Sequence, residues 1–189
     1  MHDSLFYLPG AVLSQSELSS ARLDGLVFEI SAGYMPADIP EGRSARLTAL
    51  RQVIPPGFAA SGSTAAWVHG AGDAPPMQHH IQRTVDHRPR TKTAYNVVVH
   101  ESQLADGDLV RIADQSVTTP LRTLTDLVLG ADRYPQYLIW MRRLASEMPE
   151  LVSAVRGQLT DRERLPGRRA ALSRLEQLSA EWPQEDVTR

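Results

Sequence analysis

The hydrophobic rhythm of this chain changes at Val117, and that change limits the folds it can adopt. Up to that point Pro36, Pro40, Pro55, Pro56, Pro75 and Pro76 cut the sequence into short pieces, several of them alternating or β-branched. Beyond it, apolar residues recur only at helical spacing, over residues 121–129, 134–147, 151–159 and 167–182. Short strands followed by a run of helices imply an α+β fold in which a mixed sheet is packed with C-terminal helices.

Local signals place the elements. Ser14 or Ser16 caps a first helix in "SELSSARL", with Leu18, Ala21 and Leu23 inward; "LVFEI" then runs to a turn at Ala32-Gly33 and returns through "YMP". In "EGRSARLTALRQVI", Ala45, Leu47, Leu50 and Val53 form one apolar stripe that Pro55-Pro56 stop. Ser61 or Ser63 caps the short helix "TAAWVHG", which Gly70 ends. Strands are expected at residues 78–85, 94–101 and 109–113, and "YNVVVHE" is the clearest of them. The last residues, "PQEDVTR", are polar and read as a flexible tail over 183–189.

Composition narrows the function. With 189 residues and 42% apolar content the chain can fill a core, yet no apolar run approaches the roughly twenty residues of a membrane span. The N-terminus lacks a basic leader, so no secretory signal is expected. The absence of cysteine excludes disulfides and thiolate metal sites and fits a reducing cytoplasm. A formal charge of −2 provides no protein-wide field for nucleic acid or anionic lipid. Of the twenty basic residues, all but Lys92 are arginine, which reads as the codon habit of a GC-rich genome.

The segment "VTTPLRTLTDLVLG", residues 117–130, is the most strongly written helix. Thr118 or Thr119 caps it and Pro120 occupies its first turn; Leu121, Leu124, Leu127 and Val128 face inward, and Gly130 supplies a left-handed exit. Arg122 stands out, because a cation near a helix N-terminus opposes the backbone dipole and its i,i+4 pairing with Asp126 has the weaker orientation. Either Arg122, steadied by Asp126, forks into carbonyls or a carboxylate on a neighbouring strand, or it binds a ligand or phosphate.

This segment, with "SGSTAAWVHG" upstream and "VVVHESQLADGDLVRIADQSVTTP" between them, resembles the AbiEi family of antitoxins from type IV toxin–antitoxin and abortive-infection systems, particularly actinobacterial members. The likeness covers residues 58–130 and, loosely, "LPGRRAALSRLEQL". It implies a DNA-associated regulator without catalysis that represses its own operon on double-stranded DNA and counters a nucleotidyltransferase-like toxin. Trp67, His69, Thr119, Pro120, Arg122 and Asp126 fall in the shared motifs and read as structural. The resemblance also implies a winged-helix-like N-terminal unit over residues 1–56, ahead of an α+β body over 57–182. Only "ARLDG" separates the first helix from "LVFEI", which leaves no room for a recognition helix. Residues 1–55 hold four arginines against six acids, a net of −2 and the wrong sign for phosphate contact.

No catalytic constellation emerges. The single lysine lies in "RTKTA" rather than after an acid, which argues against the carboxylate–lysine nuclease site of some relatives. There is no phosphate loop, HExxH or GxSxG elbow, and no cofactor or metal is expected. His79, His80 and His87 cluster in "QHHIQRTVDH", but neighbours in a strand point to opposite faces, so they read as solvated. Trp67 reads as core, and His69 as a buried hydrogen-bonding residue or the lining of a pocket. Tyr137, Trp140 and Leu144 form a core stripe at helical spacing that would dock the helices on the sheet.

The basic feature is C-terminal. Eight arginines, including Arg142, Arg143, Arg162, Arg164, Arg168 and Arg169, stand against four acids between residues 142 and 174, an excess of +4. Either this is a solvated helical surface, or Arg162, Arg164, Arg168 and Arg169 lie along phosphates.

Overall fold

The computed structural model describes residues 6–86, 94–112, 114–162 and 164–181. Among them the chain runs through α1 (Gln15–Leu23), a hairpin of β1 (Val27–Ile30) and β2 (Gly33–Pro36), α2 (Arg43–Ala49), β3 (Phe58–Ala60) and α3 (Gly62–Val68). Then come β4 (His79–Arg83), β5 (Val97–His100), β6 (Leu109–Ile112) and β7 (Gln115–Thr118), and finally α4 (Pro120–Gly130), α5 (Tyr137–Glu147), α6 (Glu150–Thr160) and α7 (Arg168–Glu181). The fold is α+β, and among the described residues every element after Thr118 is a helix. None of these helices is long and apolar enough to cross a membrane.

The five-stranded sheet has the order β5-β4-β3-β7-β6 and is mixed: β3 is antiparallel to β4 and parallel to β7, β4 is parallel to β5, and β6 is antiparallel to β7. Its central strands were the ones the sequence did not announce. β3 is "FAA", with no β-branched residue, and β7 is "QSVT", whose β-branched Val117 and Thr118 run directly into the Thr119-Pro120 helix start. In β3 the small side chains of Ala59 and Ala60 are fully buried, at 0% exposure, because the chain turns straight from this strand into α3 beneath the remaining helices. The three expected strands form but are shorter, and residue 113 lies outside the described residues. Likewise α5 begins at Tyr137 rather than at 134, since Pro135 pushes its predecessor away from helical geometry.

At the N-terminus Ser14 makes a complete capping box: its Oγ accepts from Glu17 N (3.3 Å) and its own N–H donates to Glu17 Oε2 (2.7 Å). The β1–β2 turn pairs Ile30 with Gly33 and holds Ser31 at a φ of 55°. Only Gly25 and Leu26 follow the α1 cap residue Asp24 before β1 begins, so no recognition helix lies between α1 and the hairpin. The core does not stop at residue 56. Ile30, Met35, Leu47 and Leu50 belong to the same buried cluster as Trp67, Ile81, Leu124, Tyr137 and Leu175.

Three of the local expectations need correction. Leu23 does not face inward but is 81% exposed, because five positions past buried Leu18 it falls on the other side of α1. Ser61 is the backbone N-cap of α3, but neither it nor Ser63 caps through its side chain, and both hydroxyls are buried with no hydrogen-bond partner among the described residues. Gly130 is not a left-handed exit; it is the last residue of α4, and Ala131 follows in right-handed helical geometry. A Cβ at Gly130 would come within 2.9 Å of Tyr137 Cε2, so glycine is there to let α5 approach. Gly70, by contrast, does end α3 with a φ of +108°.

Candidate functional site

Two regions concentrate polar chemistry: a cleft where α4 and α5 meet the β4–β5 edge of the sheet, and the corner between α6 and α7. The cleft is organised by Arg122. Thr119 caps α4 by accepting from Arg122 N (3.3 Å), with Pro120 next in the chain, and this sets the direction of the arginine side chain. Arg122 Nε donates to Asp126 Oδ1 (2.9 Å), Nη1 donates to the Gln103 carbonyl (3.2 Å) and ion-pairs with Asp108, and Nη2 donates to Ser102 Oγ (3.3 Å). The guanidinium therefore ties the first turn of α4 to the connection between β5 and β6. Burial alone would lower its pKa, but Asp126 and Asp108 outweigh burial and raise it. Two carboxylates thus offset the unfavourable helix dipole.

Asp126 forms part of the cleft floor, with 26% of its side chain exposed. Burial, with a smaller push from Asp108, carries its carboxyl up to about 6 against the pull of Arg122. The cleft, about 230 Å³ in volume, is also lined by Ser61, His100, Ser102, Arg133 and Tyr134. The wall between α5 and the sheet is an aromatic and imidazole cluster. Tyr137 Oη lies 2.6 Å from His80 Nδ1, which is 2.8 Å from His100 Nε2. The His80 and His100 rings stack with centroids 5.1 Å apart, and the edge of Tyr134 meets both. Burial pushes His80 down to about 3, with His100 and His79 adding to the shift; burial likewise lowers His79 and His100 and raises the Tyr137 phenol.

His79 and His80 are therefore not the solvated pair expected: they are 6% and 0% exposed, because β4 lies inside the sheet between β3 and β5. His87, the third of the run, lies outside the described residues, as do Lys92 and residues 182–189. Among the described residues no group of three or more His, Asp or Glu side chains is placed to hold a metal ion. His69 is buried and its Nε2 lies 2.6 Å from the Thr118 carbonyl, which places the proton on Nε2 and ties the end of α3 to β7. Trp67 is fully buried, and its Nε1 donates to the Asp73 carbonyl (3.3 Å). Sequence reasoning missed His100 and Gln82 as site residues. They sit opposite one another in the parallel β4–β5 register, two residues along β4 from His80, so all three share a face.

The eight C-terminal arginines divide sharply. Arg142 pairs with Glu181 (3.4 Å), and Arg143 lies over Trp140, 5.3 Å from its ring centroid. Arg156 donates to Ser179 Oγ (2.6 Å), and Arg174 donates to the Val128 carbonyl (2.8 Å) and pairs with Asp132. Arg168 donates through Nε to the Leu159 carbonyl (2.6 Å) and through Nη2 to the Thr160 carbonyl (3.0 Å), closing the C-terminus of α6. Arg162, Arg164 and Arg169 are exposed and hold no described partner.

The arginines of the N-terminal segment are used differently again. Arg46, 8% exposed, pairs with Glu41 (2.6 Å), donates to the carbonyls of Trp67 (2.7 Å) and Gly72 (2.9 Å), and covers the Trp67 ring. Arg51 grips both oxygens of Asp114 at 3.0 Å. These two cations anchor α2 and its exit to the body of the protein. Compared with known proteins, the chain matches no family model and no curated sequence.

Proposed function

We propose that this chain is an AbiEi-like antitoxin or transcriptional regulator of the cytoplasm that acts by binding. It contacts double-stranded DNA through the α6–α7 corner and not through its N-terminal unit. The observation that carries this reading is the separation of Arg162, Arg164 and Arg169, exposed and without described partners, from Arg168, which braces the same corner. A braced corner holding three exposed guanidiniums that have no partner among the described residues suits phosphate contact, which positions a protein without reading sequence. Neutralisation of a nucleotidyltransferase-like toxin belongs to the same reading and rests on the motif resemblance alone.

The test is retention on a DNA duplex across a salt series, comparing the native chain with the Arg162→Ala, Arg164→Ala, Arg169→Ala triple variant. Each phosphate contact contributes about −0.9 to the slope of log K against log salt, so the variant should flatten the slope by about 2.7. An unchanged slope overturns the assignment. A second reading, a protein-interaction module of the same family without DNA contact, is favoured by the N-terminal charge of −2 and by the direct passage from α1 into the hairpin. Absence of retention even at low salt selects it.

A further inference from the structure

DNA contact at the α6–α7 corner leaves the cleft over β4 and β5 without a role, and its charges are unbalanced in an informative way. In the strut behind it, one guanidinium, Arg122, faces two carboxylates, Asp108 and Asp126, which leaves one negative charge in excess. Asp126 is the member of the three that lines the cleft. On another part of the lining, Arg133 stacks over Tyr134, 5.4 Å from the ring centroid, and pairs with no acid among the described residues. Asp126 and Arg133 are not paired with each other. The lining also includes Ser61, only 2% exposed, whose Oγ has no hydrogen-bond partner among the described residues.

A partly enclosed carboxylate and a guanidinium that do not reach one another favour a guest that supplies a counter-charge to each. At about 230 Å³ the cleft falls below the roughly 300–1,000 Å³ of drug-sized sites, so the guest is small. We propose that the cleft binds a free amino acid or a zwitterion of similar size, its ammonium on Asp126, its carboxylate on Arg133 and a further hydrogen bond from Ser61. One unit charge of each sign matches such a ligand; a nucleotide phosphate would bring two negative charges to a single guanidinium.

The test is calorimetric titration of the full chain with each of the twenty amino acids, then with the amine and the carboxylic acid obtained by deleting one charged group from the best of them. At least one amino acid should saturate with a Kd below about 1 mM, and loss of either ligand charge should weaken it about tenfold or more. Arg133→Gln, at an exposed position, should weaken the amino acid equally while leaving the amine analogue unchanged, with circular dichroism confirming that it folds. Asp126→Asn should do the reverse, with circular dichroism confirming that it folds. Failure of all twenty to saturate at about 10 mM overturns the proposal. So does an amine analogue that binds as tightly as the zwitterion, or binding of a nucleoside monophosphate where no amino acid binds.

Discussion

Replacing Arg122 with alanine should destabilise the protein by an amount that depends on pH. In the native chain the Asp126 carboxyl titrates at about 6 although it is largely enclosed, because Arg122 offsets part of the cost of burying its charge. Without the guanidinium that pKa rises further. Each unit is worth about 1.4 kcal/mol, so at pH 8, two units above the native value, the loss through Asp126 reaches up to about 3 kcal/mol. The bonds to Ser102, Gln103 and Asp108 add about 1 kcal/mol, a modest figure because water can reach the groups left behind. The total, about 3 to 4 kcal/mol, corresponds to a fall in melting temperature of about 10 °C for a chain of this size. At pH 5 native Asp126 is mostly protonated, and only about 1 kcal/mol should remain. Urea denaturation of both proteins at pH 5 and pH 8 measures the difference. A loss that is equal at the two pH values, or below about 1 kcal/mol at both, would show that Arg122 does not support Asp126.

Two further outcomes follow from the same interior. His80 titrates at about 3 in the folded state against about 6.5 when unfolded, so its contribution to stability is intact above pH 6.5 and lost as pH falls; it amounts to about 2 kcal/mol by pH 5. Asp126, with its raised pKa, works in the opposite direction over that range. The stability of a His80→Asn variant should therefore fall less between pH 7.5 and pH 5 than that of the native chain, by about 2 kcal/mol in parallel urea titrations, and identical profiles would contradict the burial argument. Gly130→Ala should destabilise, because crowding the Tyr137 ring costs about 1 to 3 kcal/mol and outweighs the gain of about 1 kcal/mol in helix propensity. A higher melting temperature would mean that Tyr137 yields freely.

Sequence pattern located the elements whose local signals are strong and missed what depends on long-range pairing. The Ser14 capping box, the turn before Gly33, the stop at Gly70 and the Thr119-Pro120 start of α4 are written in neighbouring residues, and the chain obeys them. Arg122 was conspicuous because it sits where a helix dipole disfavours it. The partners Ser102, Gln103 and Asp108, 14 to 20 residues away, could not be read from that anomaly. The cleft was less legible still. Its His80–His100–Tyr137 cluster needs β4 parallel to β5 and α5 packed over both, and neither register nor docking leaves a local mark in "QHHIQ" or "VVVH". Counting charges found an arginine-rich C-terminus, but it could not separate Arg168, spent on the carbonyls of α6, from Arg169 beside it.

Helix α3 has a consequence for how the chain comes to be folded at all. All seven of its residues are buried, and it packs against α2 on one side of it in sequence and against β4, β7, α4 and α5 on the other. No short stretch of polypeptide can shelter it, so during synthesis "GSTAAWV" should stay incompletely buried until α5, ending at Glu147, has left the ribosome. None of its side chains is charged, and Trp67 is the one large apolar group among them. A nascent chain arrested before α5 should be far more sensitive to proteolysis than one arrested after it.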